Sequence, residues 1–371
     1  NNIIQNKKTI IIGSKLALFA PIQKPKLIIL DQEENQNHKQ SDQNPRFDAR
    51  LVAEKLALIH NSKLLFTSHA PTVMAYNSAI NNKIALLQPK NGKRSIAIVD
   101  LKEERKKRNY SVFSDLLKER TDQTLKQGKK IFFFINKRGS ASSVVCYDCG
   151  YLINCSNCQL PLVHHTTSNA PGVMSFLYCH RCNKRSEIPP FCPKCSGVTL
   201  KFTGLGTQKV EAEAKKLWPQ AKIFRLDKDI KLQKSLPYYD IIVGTERVFD
   251  YINWQKISLT GVISADTFLH LPDFRSTERT WQMLSKISYL SQTSLIIQTY
   301  TPKNPAIKYI NSKSFYKSEL SERKTIGYPP FTNLIKLIHQ NKDKRTCLSE
   351  AQRMYTKLKT SSLSVSLVTP L

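Results

Sequence analysis

The sequence predicts an α/β fold with a cysteine-rich insertion, and three observations support this prediction. Short apolar runs that suit buried parallel strands alternate with stretches of helical spacing over residues 1–300. Four Cys-x-x-Cys pairs interrupt this alternation between residues 146 and 195. After Pro302 the pattern changes to a helical stretch and a polar tail, which predicts a partial C-terminal α+β domain.

The first part of the chain contains three runs that are typical of buried strands. They are TIIIG (9–13), KLIILDQEE (26–34) and KLLFTSHAPT (63–72). RLVAEKLALIH (50–60) has helical spacing and separates the last two. We interpret DLKEERKKRNYS (100–111) as a solvated, flexible junction because of its high charge.

A second α/β unit opens with KKIFFFINKRGS (129–140), whose apolar run at 131–135 predicts a strand. After the cysteines, GLGTQKVEAEAKKLWP (204–219) predicts a Gly-rich turn that leads into an amphipathic helix. The remaining strand runs are AKIFRLD (221–227), DIIVGT (240–245), SLTGVISAD (258–266) and SLIIQTY (294–300). We therefore divide the chain into domains at 1–126, 127–300 and 301–371.

The chain of 371 residues is strongly basic, with a formal net charge of +29. A charge excess of this size attracts polyanions and makes their binding depend on salt. We expect a nucleic-acid partner, although a generally lysine-rich composition accounts for part of the excess. No apolar run reaches the roughly 18 residues that a membrane span needs, and no basic amphipathic helix stands out, so we expect no membrane association.

Eight of the nine cysteines form pairs, with the spacing C-x2-C-x5-C-x2-C-x20-C-x2-C-x9-C-x2-C, and Cys347 stands apart. Each pair can direct two thiolates at one metal ion, and two pairs complete a tetrahedral site. Long cysteine-free flanks argue against a secreted disulfide scaffold. We expect two structural zinc ions in a reducing cytoplasm, with iron–sulfur ligation as the main alternative.

The spacing alone leaves the connectivity of the four pairs open. Neighbouring pairs could share a metal in order along the chain, although the short gap between the first two makes that cramped. Nested pairing, of the first pair with the fourth and of the second with the third, is sterically easier and gives a hairpin-like lobe.

The motifs around the cysteines are specific in combination. They are residues 10–53, INKRGS (135–140), the cysteine block with its continuation to residue 229, ADTFLHLPDFRSTERTWQML (265–284), IIQTYTPKNPAI (296–307) and SELSERKTIGYPPFTNL (318–334). Together they cover nearly the whole chain. The combination resembles the family of bacterial primosomal protein N′, a replication-restart DNA helicase of superfamily 2.

The resemblance implies two RecA-like helicase lobes and a partial C-terminal domain. Residues 1–126 would be the remainder of the first lobe, 127–300 the second lobe with its zinc-binding insertion at 146–195, and 301–371 the C-terminal domain. It also implies nested pairing of the cysteines. The outer zinc site would be Cys146, Cys149, Cys192 and Cys195, and the inner site Cys155, Cys158, Cys179 and Cys182.

The same resemblance implies cofactors and partners. ATP with Mg²⁺ would be the nucleotide cofactor, beside the two zinc ions. The partners would be forked or single-stranded DNA and primosome or helicase-loading proteins. We expect a cytoplasmic monomer.

The acidic motif after the first apolar strand departs from the family pattern. Where the family reads Asp-Glu-Glu-His, this chain has Asp31-Gln32-Glu33-Glu34. Asp31 would still hold Mg²⁺, but the amide of Gln32 cannot accept a proton from an attacking water. Glu33 keeps the family's third position, which leaves a shifted role open. The Gly-rich phosphate-binding loop that a helicase motor needs is not in this sequence, and truncation before Asn1 is one explanation of its absence.

Three further segments differ from the family pattern. Residues 68–71 read Ser-His-Ala-Pro in place of Ser-Ala-Thr-Pro. ERVFDYINWQ (246–255) replaces a Gln-Met and Lys-Gly stretch that senses nucleotide and DNA, and SYLSQTS (288–294) replaces a Gly-Arg-Ala-Gly-Arg run that contacts the γ-phosphate. An arginine finger contributes on the order of 10³–10⁵ in rate. We therefore expect negligible ATP hydrolysis unless another residue substitutes.

Four residues are candidates for DNA contact. Lys137 and Arg138 lie in the basic turn after the 131–135 strand, and Thr207 and Gln208 follow a Gly-rich turn. A solvated turn is an equally good interpretation of both places.

LPDFRSTER (271–279) has the character of a structurally constrained segment. We expect Arg275 to pair with Asp273 or Glu278 in a network that joins the two lobes.

The sequence thus predicts a DNA-binding protein of replication restart whose ATPase motor is degenerate. One alternative is an active ATP-dependent 3′–5′ DNA helicase, which would need an upstream phosphate-binding loop and a substitute arginine. The other is a non-enzymatic module that recruits a helicase loader, which would show little salt-dependent DNA binding.

Overall fold

The computed structural model of the chain consists of two compact units, which divide between Ser321 and Glu322. None of the helices in the described part combines the length and hydropathy that crossing a bilayer requires. The described residues are 10–40, 43–87, 95–136, 142–149, 151–156, 162–167, 174–179, 184–203, 206–228, 230, 236–269, 273–291, 293–335, 337, 339, 341 and 343–360.

Helices and strands alternate over most of the first unit, as the sequence predicts. The helices are α1 (Ala49–His60), α2 (Val73–Ile80), α3 (Leu101–Lys106), α4 (Asp115–Lys126), α5 (Thr207–Leu217), α6 (Asp266–Leu269), α7 (Ser276–Leu290), α8 (Pro305–Lys308), α9 (Ser314–Ile326) and α10 (Lys344–Lys359). The strands are β1 (Leu27–Leu30), β2 (Lys63–Phe66), β3 (Ser95–Asp100), β4 (Lys130–Phe134), β5 (Ser142–Cys146), β6 (Val163–Thr167), β7 (Met174–Tyr178), β8 (Arg185–Ser186), β9 (Leu200–Thr203), β10 (Ile223–Leu226), β11 (Ile241–Gly244), β12 (Ile257–Val262) and β13 (Ser294–Thr299).

Six strands form a parallel sheet in the order β10-β11-β4-β12-β13-β3. Ile131 and Phe133 of β4 pack with α4 and α5 on one face, whereas Phe132 and Phe134 pack with α7 on the other. Alternate residues of β4 therefore belong to two separate hydrophobic layers, as expected for parallel strands that helices cover on both sides. This confirms a mixed α/β fold with a parallel sheet.

Each of these layers contains a tryptophan. The ring centroid of Trp218 lies 5.1 Å from that of Phe113 and 5.8 Å from that of Phe133. On the opposite face, the centroid of Trp254 lies 5.7 Å from that of Phe132. Large rings in edge-on and tilted contact stabilise both layers.

Strand β3 extends the sheet past the domain boundary that the sequence predicts. It pairs with β13 along its length, from Ser95 opposite Ser294 to Asp100 opposite Thr299. Residues 95–126 therefore share a sheet and a core with residues that follow 127. The boundary at 126/127 falls inside one layered structure, because strand pairing joins segments that are far apart in sequence.

Residues 301–321 likewise belong to the first unit, although the sequence places a boundary at 300/301. Phe315 stacks on Trp281 of α7 with ring centroids 4.5 Å apart and planes inclined by 4°. Tyr316 stacks on Tyr76 of α2 with centroids 3.8 Å apart. This aromatic cluster holds the segment to α2 and α7, so a change in composition is not a boundary between packing units here.

The strand expected at residues 9–13 does not form in the described residues 10–13. The side chains of Ile10 and Ile12 are 90% and 93% exposed. An apolar run becomes a strand only when a neighbouring strand offers hydrogen-bonding partners, and none of the described strands lies beside this run. The chain continues instead into a 3₁₀ helix at Lys15–Phe19.

Residues 100–111 are ordered, in contrast to the flexible junction that their charge predicts. Helix α3 occupies half of the segment, and Arg105 within it is buried. Its guanidinium donates to the Tyr300 hydroxyl over 3.1 and 3.2 Å and lies 5.0 Å from the centre of the Tyr147 ring. These partners come from distant segments, so the local charge pattern carries no sign of them.

The cysteine-rich insertion contains an antiparallel sheet in the order β8-β7-β6-β5-β9. It leaves the parallel sheet after β4 and returns through β9 to α5. Leu101, Val145, Leu152 and Tyr300 form a buried contact between the insertion and the parallel sheet. The cysteines are therefore carried on a small sheet of their own that is anchored to the larger one.

The buried amide of Gln298 gives a first testable prediction. Its oxygen accepts from the Ser114 N–H at 2.6 Å, and its nitrogen donates to the carbonyls of Val112 and Ile263 at 2.8 and 2.9 Å. Gln298→Leu leaves all three groups without partners, so we expect the free energy of unfolding to fall by roughly 2–4 kcal/mol in urea titration. The exposed Gln123→Leu on α4 is the control and should change it little; equal effects would contradict the assignment.

Candidate functional site

The first and fourth Cys-x-x-Cys pairs meet because β5 and β9 run antiparallel beside each other. Cys146 ends β5 opposite Leu200 of β9. The Tyr147 N–H donates to the Thr199 carbonyl at 2.8 Å, which continues the pairing past the end of β5. The fold therefore joins the turn that follows β5 to the turn that precedes β9.

Both turns have a backbone geometry suited to holding a metal. In the first turn, the Cys146 N–H donates to the Tyr151 carbonyl at 2.8 Å. In the second, the Cys192 N–H donates to the Gly197 carbonyl at 2.9 Å, and the Lys194 N–H donates to the Cys192 sulfur at 3.4 Å. A backbone N–H directed at sulfur favours the thiolate, which is the form that binds metal.

Gly197 is placed where the two turns touch. A Cβ atom added there would lie 2.1 Å from the Asp148 carboxylate oxygen. That oxygen accepts from the Thr199 N–H at 3.2 Å. Asp148 thus ties the first turn to the second, and only glycine leaves room for it.

The four sulfur atoms of these turns form one cluster. The Sγ atoms of Cys146, Cys149, Cys192 and Cys195 lie within 4.8 Å of one another. The Cys146–Cys195 and Cys149–Cys192 pairs of sulfurs are each 3.7 Å apart. Zn–S bonds of about 2.3 Å in a tetrahedron place the sulfurs about 3.8 Å apart. The cluster has the dimensions of a four-thiolate zinc site.

Electrostatics around the sulfurs also favour a bound cation. Burial raises the pKa of the Cys146 thiol and of the Cys149 thiol. Thiolates at these positions therefore need a neighbouring positive charge, which a metal ion supplies. The described cysteines form no disulfides, so their sulfurs are available as ligands. A complete set of four thiolates suits a structural ion and leaves no position for water.

The second and third pairs are only partly within the described residues. Cys155 and Cys179 are buried, and both belong to a hydrophobic cluster with Val144, Ile153 and Leu177. Cys158 and Cys182, their partners in the expected inner site, lie outside the described residues. The inner site therefore stays a prediction.

The acidic motif forms a tight turn at the end of β1. Thr67, just after β2, donates its hydroxyl to the Asp31 carboxylate and accepts from the Gln32 N–H at 3.3 Å. Gln32 has a φ of +51°, in the left-handed region that side chains seldom adopt. The parallel pairing of β1 with β2 places Asp31 and Thr67 side by side at the carboxyl ends of the strands.

The Gln32 side chain contacts a lysine of helix α7. The Lys286 ammonium of α7 donates to the Gln32 side-chain oxygen at 3.4 Å and lies 3.3 Å from the Glu246 carboxylate. Lys286 also lies 5.4 Å from the centre of the Phe249 ring. The Gln32 amide is thus one partner of Lys286, whose charge the Glu246 carboxylate already neutralises.

Glu33 has a packing role. It is 3% exposed and accepts from the Thr72 N–H at 2.9 Å and from the Thr72 hydroxyl at 2.7 Å. Burial raises the pKa of Glu33, and the hydrogen bonds from Thr72 offset only part of this effect. Because the native pKa lies above the unfolded one, the contribution of Glu33 to stability is lost as pH rises through the native pKa.

Glu34 faces a different set of partners. It accepts from the Ser68 hydroxyl at 2.5 Å and lies 3.8 Å from His69 Nδ1. Burial would raise the pKa of Glu34, but the nearby His69 ring and the hydrogen bond from Ser68 outweigh it and lower the pKa. The ring of His69 lies edge-on to Tyr289 of α7, with centroids 5.0 Å apart. Ser68 and His69 thus contact Glu34 of the acidic motif.

A buried carboxylate on α7 completes this network. Glu278 is 1% exposed, accepts from the Val73 N–H at 2.7 Å and accepts from Arg275 Nε at 2.9 Å. Arg279 forms the neighbouring ion pair with Asp273 at 2.7 Å. The pairing of Arg275 with Glu278 agrees with the expectation from sequence, and Glu278 links α7 to the start of α2.

The described residues of segments 246–255 and 288–294 pack within the protein. Residues 246–255 include a 3₁₀ helix whose Val248 and Phe249 are buried in the core. In the other segment, Ser288 accepts from the Asn311 side chain at 2.6 Å, and Ser291 donates to Thr260 at 2.9 Å. The described residues of these segments are therefore held by core packing and by hydrogen bonds to other parts of the protein.

The four residues expected to contact DNA have different positions. Lys137 and Arg138 lie outside the described residues, and Gln208 is exposed on the first turn of α5. Thr207 is fully buried, and its hydroxyl donates to the Asp227 carboxylate. We therefore withdraw Thr207 as a DNA contact, because its donor is used inside the protein.

Sequence reasoning did not single out Thr72 or Lys286. Thr72 caps α2 and holds Glu33, and its place directly before a helical stretch was the available signal. No local pattern marks Lys286, because its partners Gln32 and Glu246 come from other parts of the chain.

Comparisons with known proteins match these features to one kind of protein. No protein-family model matches the chain. It is 34% identical to replication restart protein PriA of Bacillus subtilis over 87% of this chain and 42% of that protein. The corresponding protein of Borreliella burgdorferi is 32% identical over 97% of this chain and 56% of its own length. That of Chlamydia trachomatis is 33% identical over 94% and 49%, respectively.

These matches confirm the resemblance to the replication-restart family that the motifs indicate. The chain spans about half the length of the curated relatives that it matches. The Borreliella burgdorferi and Chlamydia trachomatis matches cover 97% and 94% of the chain and leave fewer residues outside than the 30 that precede Asp31, so they extend over the acidic turn, the cysteine insertion and α7 together. The chain is similar to replication restart protein PriA over about nine-tenths of its own length and about half the length of these relatives.

Proposed function

We propose that this chain is a DNA-binding protein of replication restart that keeps two RecA-like lobes and two structural zinc sites but has a degenerate ATPase motor. The observation that carries the proposal is the match over about nine-tenths of the chain to replication restart proteins, combined with replacement of the ATP-handling residues. Fork or single-stranded DNA is the ligand, and primosome or helicase-loading proteins are the partners. A role on chromosomal DNA implies the cytoplasm, and we expect a monomer.

The loss of ATP hydrolysis follows from the groups around Gln32. Asp31 would be the residue that holds Mg²⁺ beside ATP, and a bound Mg²⁺–ATP would supply the phosphoryl group for hydrolysis. Gln32 offers an amide where a proton acceptor is needed, and the nearby cation Lys286 is already paired with Glu246. Position 32 therefore offers no carboxylate to act as a base, and the cation beside it is already engaged by Glu246.

DNA binding rests on the basic excess of the chain and on its family. Lys137, Arg138 and Gln208 remain the proposed contacts, since the net charge of +29 favours the phosphate backbone. The zinc sites shape the insertion and take no part in chemistry, because thiolates fill the coordination sphere. We thus assign a structural role to the cysteines and DNA binding to Lys137, Arg138 and Gln208.

Zinc analysis tests the two sites and their pairing. We expect two zinc ions per purified chain and about one in the double variant Cys146→Ser/Cys192→Ser, because nested pairing puts both residues in one site. If neighbouring pairs shared metals in order, the same variant would damage both sites and lose nearly all zinc.

Cys347→Ser is the matched control for these substitutions. Cys347 belongs to the second compact unit and lies in none of the four pairs, so it should retain two zinc ions. A wild-type content near one, or iron in place of zinc, would contradict the double-site assignment.

ATP hydrolysis separates the degenerate motor from an active helicase. We expect the full-length product of the gene to hydrolyse ATP, with fork DNA present, at least about a thousandfold more slowly than the Bacillus subtilis protein, because it lacks the arginine finger. Turnover within about tenfold of that relative would instead favour the active helicase.

Gln32→Glu tests the local explanation for this loss. The new carboxylate would lie within reach of the Lys286 ammonium, now 3.4 Å from the amide oxygen, and would pair with it. We expect this single change to leave ATP turnover within about twofold of the parent, since the arginine run is still missing. A large gain would show that Gln32 alone had silenced the motor.

Salt-dependent DNA binding tests the ligand and separates it from a recruitment module. Lys137→Ala/Arg138→Ala should weaken fork-DNA binding and lower the slope of log K against log salt by about two, since each phosphate contact releases about one counterion. The control is Lys106→Ala/Lys215→Ala, which removes the same charge from lysines already paired with Glu103 and Glu211. Affinity that is insensitive to salt would favour the recruitment module.

A further inference from the structure

Basic and aromatic side chains collect at one end of the parallel sheet. Strands β10, β11, β4, β12 and β13 run parallel, and the register places Ile223, Ile241 and Ile131 side by side near the strand starts. The amino ends of these strands therefore lie in one row, which is roughly 19 Å long because neighbouring strands are about 4.8 Å apart. We call this row with the adjoining end of α4 the amino-end rim, and we define it by Arg120, Lys129, Lys130, Lys222 and Tyr238.

Tyr238 presents an aromatic ring on the amino-end rim. Its side chain is 65% exposed, whereas the next residue, Tyr239, is 5% exposed and packs in the core. The Tyr238 hydroxyl donates to the Asp240 carboxylate at 2.9 Å, and the same carboxylate accepts from the Lys222 N–H at 2.8 Å. The ring is therefore held at the surface through its hydroxyl and its buried neighbour, while most of it is open to a ligand.

Two lysines lie against this ring. The Lys130 ammonium is 5.1 Å from the centre of the Tyr238 ring and 4.3 Å from that of the Tyr239 ring. The Lys222 ammonium lies 4.9 Å from the centre of the Tyr238 ring. An aromatic face attracts an ammonium only weakly at an exposed site, and it does not neutralise the charge. The rim thus combines an exposed ring with two cations beside it.

A small cavity lies on the same rim, between the end of α4 and the starts of β12 and β13. Its volume is about 190 Å³, its lining includes Arg120, Lys129, Ser258 and Ser294, and none of the described residues that line it is acidic. The Arg120 guanidinium donates to the Gln123 amide oxygen at 3.3 Å, and this neutral partner leaves its charge in place. Sites for drug-sized molecules measure about 300–1,000 Å³. The cavity therefore suits one phosphate group of a larger ligand.

The end of α4 is closed in a way that removes its repulsion of an anion. The Gly128 N–H donates to the Leu125 carbonyl at 2.9 Å, and the Lys129 N–H donates to the Thr124 carbonyl at 3.1 Å. Gly128 has a φ of +64°, which this closing turn requires. The turn occupies the last carbonyls of the helix and places the charge of Lys129 at the negative end of the helix dipole.

An exposed aromatic ring among basic side chains is the combination by which proteins bind single-stranded nucleic acid. Bases stack on the ring, and lysines and arginines contact the phosphates. The charge alone would also suit an acidic peptide, whereas the stacking ring favours nucleic acid. Lys129 and Lys130 stand at the start of β4, whereas Lys137 and Arg138 follow β4 in the chain. The amino-end rim is therefore additional to the contacts proposed above.

We propose that the amino-end rim is a second nucleic-acid contact, which binds an unpaired strand. One base stacks on Tyr238, with Lys130 and Lys222 at the flanking phosphates. The cavity beside Arg120 and Lys129 receives a further phosphate. The proposal rests on the proposed function only in taking nucleic acid as the ligand, and it involves neither ATP nor the zinc sites.

Single-strand binding by Tyr238 variants tests the stacking contact. The probe is a fluorescent single-stranded deoxythymidine oligonucleotide, and its anisotropy is measured with the 371-residue chain. Tyr238→Ala should weaken binding at least about fivefold, because it removes the stacking of one base. Tyr238→Phe keeps the ring and should stay within about twofold of the parent. The control Phe191→Ala removes a ring that is 56% exposed on the cysteine insertion, and it should also stay within about twofold.

A blunt duplex of the same length separates stacking from charge. Tyr238→Ala should leave duplex binding within about twofold, because the bases of a duplex are stacked inside it. An equal loss on the duplex, an unchanged single-strand affinity, or equal losses from Tyr238→Ala and Phe191→Ala would overturn this proposal alone. If the parent bound neither probe, this proposal and the proposed function would both be overturned.

Arg120→Ala/Lys129→Ala tests the phosphate-binding cavity. It should lower the slope of log K against log salt for the single strand by roughly 1.4, because each of two lost phosphate contacts accounts for about 0.7. Lys106→Ala/Lys215→Ala removes the same charge from lysines that are paired with carboxylates, and it should lower the slope by less than half as much. Equal changes from the two double variants would overturn the proposal.

Crosslinking to the unaltered chain locates the bound strand, so it decides the question even where a variant does not fold. A single strand that carries 5-iododeoxyuridine should crosslink under ultraviolet light to the peptide that contains Tyr238. Zinc content and circular dichroism of each variant should match the parent, which shows that lost binding is not lost folding. Crosslinks confined to other peptides, or polyglutamate that competes as well as the oligonucleotide, would overturn the proposal.

Discussion

The burial of both faces of β4 is the constraint on which the first unit depends. Its four residues from Ile131 to Phe134 are all at most 1% exposed, so each face needs its own cover. Helices α4 and α5 cover one face, and α7 covers the other. The cysteine insertion begins after β4 and returns to α5. Its first strand must therefore lead away from the parallel sheet, and its last strand must lead back to it. The antiparallel pairing of β5 with β9 meets this requirement and joins the outer cysteines as a consequence.

Neighbouring residues of the acidic turn have different structural roles. Glu33 satisfies two donors of Thr72, so removing its carboxylate would leave buried groups without partners. Gln32 faces a partly exposed lysine, where an amide oxygen serves nearly as well as a carboxylate. Packing therefore constrains the residue at position 33 more tightly than the residue at position 32. The same logic applies to Glu278, which holds both Val73 and Arg275.

Sequence reasoning succeeded where the signal was local. The apolar runs at β4, β11 and β13 and the helical spacing of α1 and α5 identified these elements. It failed where a distant partner decides the outcome. Arg105 is buried because its guanidinium donates to the Tyr300 hydroxyl and lies over the Tyr147 ring. Thr207 is buried because its hydroxyl donates to the Asp227 carboxylate. The run at 9–13 failed for the opposite reason, since a strand cannot form without a neighbour. For the metal site, the spacing of the cysteines identified the ligands but left their pairing open, and the family resemblance implied the nested pairing. The pairing of β5 with β9 brings the four outer cysteines together.

The three tryptophans lie in three different packing environments of the first unit. The chain has three of them, and Trp218 and Trp254 lie on opposite faces of the parallel sheet. The third, Trp281, stacks on Phe315 and donates its indole N–H to the Tyr309 carbonyl at 2.8 Å. It therefore lies in the aromatic cluster that joins α2, α7 and α9. In a variant whose other two tryptophans are replaced, emission from Trp281 would report on movement between the acidic-turn region and the parallel sheet.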